Sequence, residues 1–248
     1  MKAIILAAGY ATRLYPLTIN LPKALLKIDN KPIVEFIVNK LEKIKEIDEL
    51  VIVSNNRFYA LFEEWLKKIN FSKKTSLIND LTNAEENRLG ALGDLDFAIK
   101  KSNIDTDILV IAGDNIFDFD LENFIKFSQR NHSINIGIFD IKCVDCAKKF
   151  GVVEIDTSNR VTKFVEKPNK PFSTLIGIGI YFLPKFAINF VKAYLAQNNP
   201  QDALGHFLEY LLKNKIEILG HKFAGKWFDI GDVEAYEEAQ KYFGKERT

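Results

Sequence analysis

The sequence of 248 residues contains only two cysteines, Cys143 and Cys146, and three histidines. A structural zinc site takes about four ligands, and the sequence has no second cysteine pair, while His132, His206 and His221 are widely separated. A redox-active C-x-x-C pair is typical of a thioredoxin-like βαβ unit near the start of a chain. We therefore expect two reduced cysteines at a strand-to-helix junction.

The sequence also has almost no net charge, because 34 basic and 33 acidic residues leave a formal charge of +1. Nucleic-acid-binding proteins usually carry a basic excess or a basic stripe, whereas here the lysines are interspersed with acidic residues, as on a solvated surface. No apolar run approaches the ~20 residues of a membrane span. Residues 3–7 are too short a run for a signal peptide. We predict a cytoplasmic protein without a nucleic-acid or membrane partner.

The chain does have enough apolar residues for a sizeable core, with 47% hydrophobic and 27% charged residues. In its first half, continuous apolar runs at residues 3–7, 50–53 and 108–112 alternate with helical patterns. Such runs are typical of strands buried on both faces. The β-α-β-α order favours a parallel sheet with helices on both faces.

The second half predicts a hairpin, because strand-like runs at residues 152–155 and 161–165 flank four turn-forming residues, D-T-S-N. A strand at 175–182, two helices, a strand near 217–219 and a final helix from about 233 to 242 follow. We predict an α/β fold: one Rossmann-like domain over residues 1–248, with a mixed, mostly parallel central sheet flanked by helices.

The strongest functional signal is L-A-A-G-Y-A-T-R-L at residues 6–14, followed by Pro22-Lys23. Small residues after a buried strand allow backbone N–H groups to approach a phosphate, and Arg13 and Lys23 add positive charge. The P-loop and G-x-G-x-x-G patterns are absent. From the residues alone, a phosphate-binding loop and an ordinary strand-to-loop turn both remain open.

Asp114 follows the buried run 108–112 and therefore lies at the carboxyl end of a strand, where open α/β sheets bind ligands. A carboxylate that faces phosphates suits Mg²⁺, which takes one or two carboxylates with phosphate oxygens. An aspartate that caps the next turn is the alternative interpretation.

The segment at residues 6–14 with Pro22-Lys23 resembles the L-A-G-G-x-G-T-R-L…P-K signature of the sugar-1-phosphate nucleotidyltransferases, which include glucose-1-phosphate thymidylyltransferases and UTP–glucose-1-phosphate uridylyltransferases. Four further motifs follow in family order over nearly the whole chain: G-D-N at 113–115, F-G-V-V at 150–153, E-K-P at 166–168 and W-F-D-I-G at 227–231. The resemblance implies nucleotidyl transfer from a nucleoside triphosphate to a sugar 1-phosphate, with Mg²⁺ as cofactor. It also implies a nucleotide-binding part at about 1–120 and a sugar-phosphate-binding part at about 121–248.

The resemblance also implies roles for particular residues. The nucleotide would be contacted by Leu6, Ala8, Gly9, Thr12, Arg13, Lys23, Asn87, Gly90 and Asp114. The sugar phosphate would be contacted by Gly151, Glu166, Lys167 and Gly179. Asp114 and Asp229 would hold the metal, and Arg13, Lys23, Asp114 and Lys167 would act in catalysis. Independently of the resemblance, Pro168 is expected to restrict Lys167 to an extended conformation.

Three departures from the family pattern bear on substrate identity. The family's glycine before Thr-Arg is Ala11 here, which fits if its φ is negative. The base-contacting G-T-A-G-A-L is N-R-L-G-A-L at residues 87–92, so that residues 79–83 become candidates for base contacts. The polar residue that usually precedes the strand glycine is Ile178.

These departures leave the substrates open. The segment G-D-N-I-F at residues 113–117 looks like one that is common in thymidylyltransferases, which favours dTTP or UTP with glucose 1-phosphate. A cytidylyltransferase for a non-sugar phosphate, a guanylyltransferase for mannose 1-phosphate and a non-catalytic nucleotide-sensing subunit remain alternatives. A homo-oligomer is left open.

Overall fold

The computed structural model describes residues 1–244, which form two compact units. The first unit consists of Met1–Leu89, Ile111–Asp120 and the chain from Gly225 onward, and the second of Gly90–Val110 and Leu121–Ala224. These bounds differ from the predicted division near residue 120. The single domain over 1–248 stays a prediction, and its last four residues lie outside the described range.

The elements are numbered in chain order. The strands are β1 (Lys2–Leu6), β2 (Lys27–Ile28), β3 (Lys31–Pro32), β4 (Glu49–Ser54), β5 (Lys74–Asn79), β6 (Ile108–Ala112), β7 (Asn115–Phe117), β8 (Ile134–Asp140), β9 (Gly151–Ile155), β10 (Val161–Glu166), β11 (Leu175–Leu183), β12 (Ile218–Lys222) and β13 (Trp227–Asp229). The helices are α1 (Ile33–Leu41), α2 (Tyr59–Lys67), α3 (Gly90–Lys101), α4 (Glu122–Asn131), α5 (Ala187–Leu195), α6 (Leu204–Lys213) and α7 (Val233–Phe243).

The first unit is built on parallel strands in the order β1–β4–β5. Every residue of β4 is buried, as its continuous apolar run predicts. Helix α1 buries Ile33, Ile37 and Leu41 on one face, as the spacing of three to four residues requires. A short antiparallel pair, β7 with β13, joins two distant parts of the chain within this unit.

The second unit contains the predicted hairpin, formed by antiparallel β9 and β10, in a set of strands ordered β10–β9–β11–β8–β12. The register of β11 against β8 shifts between Gly177 and Tyr181. Gly179 lies inside this shift with φ of 68°, a value that favours glycine. Between Gly177 and Tyr181 the strand β11 advances four residues while β8 advances only two, from Ile138 to Ile136. Irregularities in strand pairing often re-aim side chains next to binding sites.

The predicted class, a Rossmann-like α/β fold with a mixed sheet flanked by helices, is confirmed. The expected cysteine chemistry is wrong, because Cys143 and Cys146 form a disulfide. They do lie at a strand-to-helix junction, where the turn after β8 brings their Cα atoms to 5.3 Å, within bridging distance. None of the helices described within residues 1–244 is long and apolar enough to cross a membrane.

A buried carboxylate links the three parallel strands of the first unit at one end. The register places Lys2 of β1 and Lys74 of β5 on either side of Glu49 in β4. Both lysine Nζ atoms lie 3.0 Å from the Glu49 carboxylate, and Ser76 Oγ donates to it at 2.7 Å. Burial raises the pKa of Glu49, but the hydrogen bonds from Ser76, Lys2 and Lys74 outweigh burial and lower the pKa to about 2.

Because the folded-state pKa of Glu49 lies below the unfolded value, its charge stabilises the fold above pH ~4.5, and this stabilisation is lost as the pH falls through about 2. We expect Glu49→Gln to lower the free energy of unfolding at pH 7 by roughly 1–3 kcal/mol. Urea unfolding at several pH values should show that the difference in unfolding free energy between wild type and Glu49→Gln narrows between pH ~5 and pH ~3. Exposed Glu63→Gln on α2 is the control, and an equal loss in both variants at every pH would contradict the prediction.

Candidate functional site

The predicted nucleotide loop begins where β1 ends at Leu6, which is half-buried. Ala8 is buried, and its carbonyl accepts a hydrogen bond from Asn55 Nδ2 at 2.8 Å. Gly9 is exposed, and a Cβ atom built on it would meet no heavy atom within 4 Å. The backbone at Gly9 is therefore open to a ligand, as a phosphate-binding loop requires.

Ala11 has φ of 50° and ψ of 42°, so the negative φ that would suit an alanine is absent. Hydrogen bonds impose this conformation, because Leu14 N–H and Thr18 Oγ1 both donate to the Ala11 carbonyl, at 3.0 and 2.8 Å. A residue with a Cβ costs about 1–2 kcal/mol in the left-handed region. This left-handed backbone conformation explains why the family signature has a glycine at this position. The 3₁₀ turn that follows presents Thr12 and an exposed Arg13.

Gly113 brings Asp114 next to this loop. Its N–H donates to the Leu6 carbonyl at 2.8 Å. A Cβ atom on Gly113 would lie 2.8 Å from Leu6 O and 3.0 Å from Ala7 Cβ, so that any other residue would push the two segments apart. The glycine therefore fixes where Asp114 leaves the end of β6.

The second predicted metal carboxylate, Asp229, reaches Asp114 through the pairing of β13 with β7. The register sets Asp229 opposite Asn115, and Ile230 N–H donates to the Asp114 carbonyl at 3.1 Å. Asn115 Nδ2 donates to Asp114 Oδ1 at 2.9 Å, while Trp227 Nε1 donates to Asn115 Oδ1 at 2.6 Å. Backbone pairing and one buried amide together orient the carboxylates.

Two cations accompany these two carboxylates. Lys23 Nζ lies 2.5 Å from Asp114 Oδ2. Burial raises the pKa of Asp229 and the charge of Asp114 raises it further, whereas Lys23 and Arg13 act in the opposite direction. The structure therefore brings together four of the side chains that the resemblance assigns to metal and nucleotide. We call Arg13, Lys23, Asp114 and Asp229 the charged cluster.

Asn87 and Gly90 have other local partners. Asn87 is exposed in a 3₁₀ turn, and its Oδ1 accepts from Ala84 N–H at 3.1 Å. Gly90 belongs to the second unit, is buried and has φ of 78°. A Cβ atom on it would lie 2.5 Å from Gln201 O, which is reason enough for a glycine here. Their nucleotide contacts stay predictions.

Residues 79–83 are anchored to the nucleotide loop by a buried polar network. Tyr10 Oη and Thr82 Oγ1 are 2.9 Å apart, and Thr82 donates from both N and Oγ1 to Asp80 Oδ1, at 2.7 and 2.9 Å. Between these buried residues, Leu81 has φ of 69° and is 66% exposed. An apolar side chain is thus held in solvent on a firmly attached segment.

The second unit contains the residues predicted to bind the sugar phosphate, beginning with Glu166, whose side chain is only 11% exposed. Gly151 lies opposite Glu166 in the hairpin. A Cβ atom there would collide with the Phe164 ring and lie 2.9 Å from Glu166 Oε2, and one on Gly205 would collide with Glu166 Oε2. The two glycines make room for a nearly buried carboxylate.

Lys167 differs from its predicted extended conformation, since its φ is 46°. Its N–H donates to Phe150 O at 3.1 Å, which turns the chain out of the hairpin immediately after Glu166. Its Nζ lies 3.7 Å from Glu166 Oε1, and the side chain is 58% exposed. The turn overrides the extended preference that Pro168 imposes.

Helix α6 supplies contacts that the sequence analysis missed. Glu209 Oε1 accepts a hydrogen bond from Glu166 N–H at 2.8 Å, and His206 Nδ1 lies 3.5 Å from Glu209 Oε2. Burial raises the pKa of Glu166; Lys167 and His206 lower it, and Glu209 raises it. His206 and Glu209 are three residues apart beside the apolar stripe of α6, and this spacing is the signal that could have revealed them.

Gly179, the fourth predicted sugar contact, lies in the register shift of β11. Ile178, which replaces a polar residue of the family pattern, is buried, and a Cβ atom on Gly137 would lie 3.2 Å from its Cγ1. Ile178 therefore belongs to the core, which accounts for an apolar residue at this position.

A family model described as nucleotidyl transferase matches residues 2–246. The chain belongs to the nucleotidyl transferase family. The resemblance found in the five sequence motifs is thereby confirmed. The contribution of each site residue is not tested by this match and stays a prediction.

Two relatives illustrate the range of this nucleotidyl transferase family. A bifunctional protein GlmU from Methanococcus aeolicus is 33% identical over 236 residues, which cover 93% of this chain and 51% of the relative. A mannose-1-phosphate guanyltransferase from Debaryomyces hansenii is 31% identical, over 93% of this chain and 61% of the relative. The chain thus spans between half and about three-fifths of the length of these relatives.

A solved structure of UDP-glucose pyrophosphorylase complexed with UDP-glucose superimposes with a TM-score of 0.82, covering 99% of each chain at 22% identity. At this identity, the superposition shows that the two proteins share a fold.

Two glycines of the nucleotide segment should respond differently to a methyl group. We expect Gly113→Ala to lower the free energy of unfolding by roughly 1–3 kcal/mol, because its Cβ atom would meet the Leu6 carbonyl. Gly9→Ala should leave stability within about 0.5 kcal/mol of wild type and weaken triphosphate binding, because the methyl group would occupy open space at the loop. Denaturant unfolding and nucleotide titration measure the two effects. A Gly9→Ala protein with unchanged nucleotide affinity would contradict the assignment of this loop.

Proposed function

We propose that this nucleotidyl transferase moves a nucleotidyl group from a nucleoside triphosphate to a sugar 1-phosphate and releases pyrophosphate. The observation that carries the proposal is the charged cluster beside a loop whose backbone is open at Gly9. Two carboxylates at the ends of strands and two cations in 3₁₀ turns form an arrangement suited to a metal-bound polyphosphate.

Mg²⁺ fits the donor set of the charged cluster. It takes one or two carboxylates together with phosphate oxygens and water, and Asp114 and Asp229 offer two. Within residues 1–244, no group of three or more His, Cys, Asp or Glu side chains offers a fuller protein cage for a metal. Burial and the charge of Asp114 both make ionisation of Asp229 costly, and a cation would relieve this. When bound, Mg²⁺ would offset negative charge on the nucleotide's phosphates.

The chain's own residues would then act by positioning and charge. Backbone N–H groups at Gly9, with Arg13 and Lys23, would hold the triphosphate and the departing pyrophosphate. Lys167 would hold the acceptor phosphate, and Glu166 would accept hydrogen bonds from sugar hydroxyls. An acceptor phosphate oxygen attacks the α-phosphorus as the bond to the β-phosphate oxygen breaks. No protein nucleophile is required, and orientation supplies much of the rate.

For the substrates we propose dTTP or UTP with glucose 1-phosphate. The motif G-D-N-I-F at residues 113–117 supports this choice. The firmly anchored segment 79–83 is a candidate for base contacts, with exposed Leu81 available to cover the face of a base. The relative named mannose-1-phosphate guanyltransferase supports GTP with mannose 1-phosphate as the second candidate.

A substrate matrix tests the proposal. Pyrophosphate release is measured with each common nucleoside triphosphate against glucose 1-phosphate, mannose 1-phosphate and phosphocholine. Turnover with dTTP or UTP and glucose 1-phosphate supports the full proposal. GTP with mannose 1-phosphate would overturn only the choice of substrates, CTP with phosphocholine would overturn the sugar acceptor, and no turnover with any pair would overturn the enzyme assignment.

The metal assignment predicts that Asp114→Asn and Asp229→Asn each reduce turnover by about 10²-fold or more, because each removes a charged metal ligand. Both variants should fold, as circular dichroism would verify, and activity of the wild type should require Mg²⁺. The exposed Asp120→Asn is the matched control and should keep wild-type turnover. Folded variants that turn over within a few-fold of wild type would rule out the two carboxylates as metal ligands.

A further inference from the structure

A long-range hydrogen bond ties helix α6 to the end of β10. Glu209 Oε1 accepts from the backbone N–H of Glu166 at 2.8 Å, although the two residues are 43 positions apart. A hydrogen bond to a carboxylate is stronger than one between neutral groups. It holds the last residue of the strand immediately before the chain turns at Lys167.

The same helix shapes the space for the Glu166 side chain. Gly205, one turn before Glu209, has no Cβ atom, and any side chain there would collide with Glu166 Oε2. Helix α6 packs directly against β10. The helix therefore fixes the backbone of Glu166 through Glu209 and accommodates its carboxylate through Gly205.

Lys167 depends on this support because its backbone is strained. A lysine with φ of 46° lies in a sparsely populated region, and such conformations persist only where neighbouring contacts determine them. Phe150 O holds the N–H of Lys167, and Glu209 holds the N–H of the preceding residue. Without Glu209, the segment is freer to relax towards the extended conformation that Pro168 favours.

A contribution to stability alone accounts poorly for a glutamate at position 209. Burial raises the pKa of Glu166, and the charge of Glu209 raises it further, because the two carboxylates repel each other. His206 Nδ1 lies 3.5 Å from Glu209 Oε2, and His206 Nε2 lies 3.7 Å from Asp202 Oδ1. The carboxylates of Glu166 and Glu209 therefore lie close together in spite of their repulsion, and Glu209 Oε1 accepts from the Glu166 N–H.

We propose that Glu209 is a positioning residue that sets the geometry of Glu166 and Lys167 for the acceptor phosphate. The inference rests on the proposed function, in which these two residues bind the sugar 1-phosphate. Glu209 acts through the Glu166 backbone and contacts no reacting atom. A glutamine at this position can accept the same hydrogen bond, whereas an alanine cannot.

The test compares Glu209→Ala and Glu209→Gln with wild type, using glucose 1-phosphate as the varied acceptor and then the nucleoside triphosphate as the varied substrate. We expect Glu209→Ala to raise KM for glucose 1-phosphate about tenfold or more, with KM for the triphosphate changed less than about threefold. Glu209→Gln should stay within about threefold of wild type for both substrates. Lys213→Ala, at the exposed end of the same helix, is the control.

Amide hydrogen exchange at Glu166 provides a readout that needs no substrate. Protection should be lost in Glu209→Ala and kept in Glu209→Gln. If the alanine variant does not fold, Glu209→Met replaces it, since methionine keeps the length of the side chain but lacks the oxygen acceptor. Equal changes in both KM values, wild-type kinetics in the alanine variant, or unchanged Glu166 exchange would each overturn the inference. Absence of turnover in wild type would instead overturn the proposed function, while exchange still reports on the contact.

Discussion

The charged cluster depends on a close contact between two chain segments, the hydrogen bond from Gly113 N–H to the Leu6 carbonyl at 2.8 Å. A Cβ atom at position 113 would lie at that same distance from the oxygen, so only glycine permits the contact. The contact sets Asp114 beside the loop that carries Arg13. Because β7 begins one residue later and pairs with β13, the same contact also determines where Asp229 lies. The residues predicted to bind nucleotide and metal thus share one backbone anchor.

In the second unit, glycines leave the space that a nearly buried carboxylate needs. Gly151 and Gly205 leave the volume that the Glu166 side chain and the Phe164 ring fill. Burial makes the charged form of Glu166 costly, as its raised pKa records. A carboxylate kept in such a place must gain hydrogen bonds or a partner to stay charged, and sugar hydroxyls are donors that would supply them. Both the packing around Glu166 and the predicted binding of a sugar therefore favour Glu166 as a contact of the acceptor.

The sequence predicted features with strong local signals. The apolar run at 108–112 coincides with β6, and the D-T-S-N turn lies inside the hairpin of β9 and β10. Features defined by partners were missed: β5 alternates polar residues and is half-exposed, and β13 is a strand only through its pairing with β7. In the candidate site, the resemblance identified the residues of the charged cluster. The charge pattern alone could not predict that they lie together, because they are far apart in the sequence. Glu209 was missed because its role comes from a residue 43 positions away.

The backbone strain is distributed in a way that bears on function. Left-handed residues such as Asn159 and His132 lie in turns or after helices, where this conformation is common. Lys142 and Lys215 also adopt it, after β8 and after α6, in segments without a predicted substrate contact. Ala11, Leu81 and Lys167 likewise have side chains that do not favour it, and these three lie in segments predicted to contact substrate. Each is held by hydrogen bonds to its own or neighbouring backbone. Strain of about 1–3 kcal/mol per residue persists only where surrounding structure imposes it. The fold therefore keeps the segments of Ala11, Leu81 and Lys167 in conformations that their residues would not adopt alone, and the proposed reaction would require such pre-organisation.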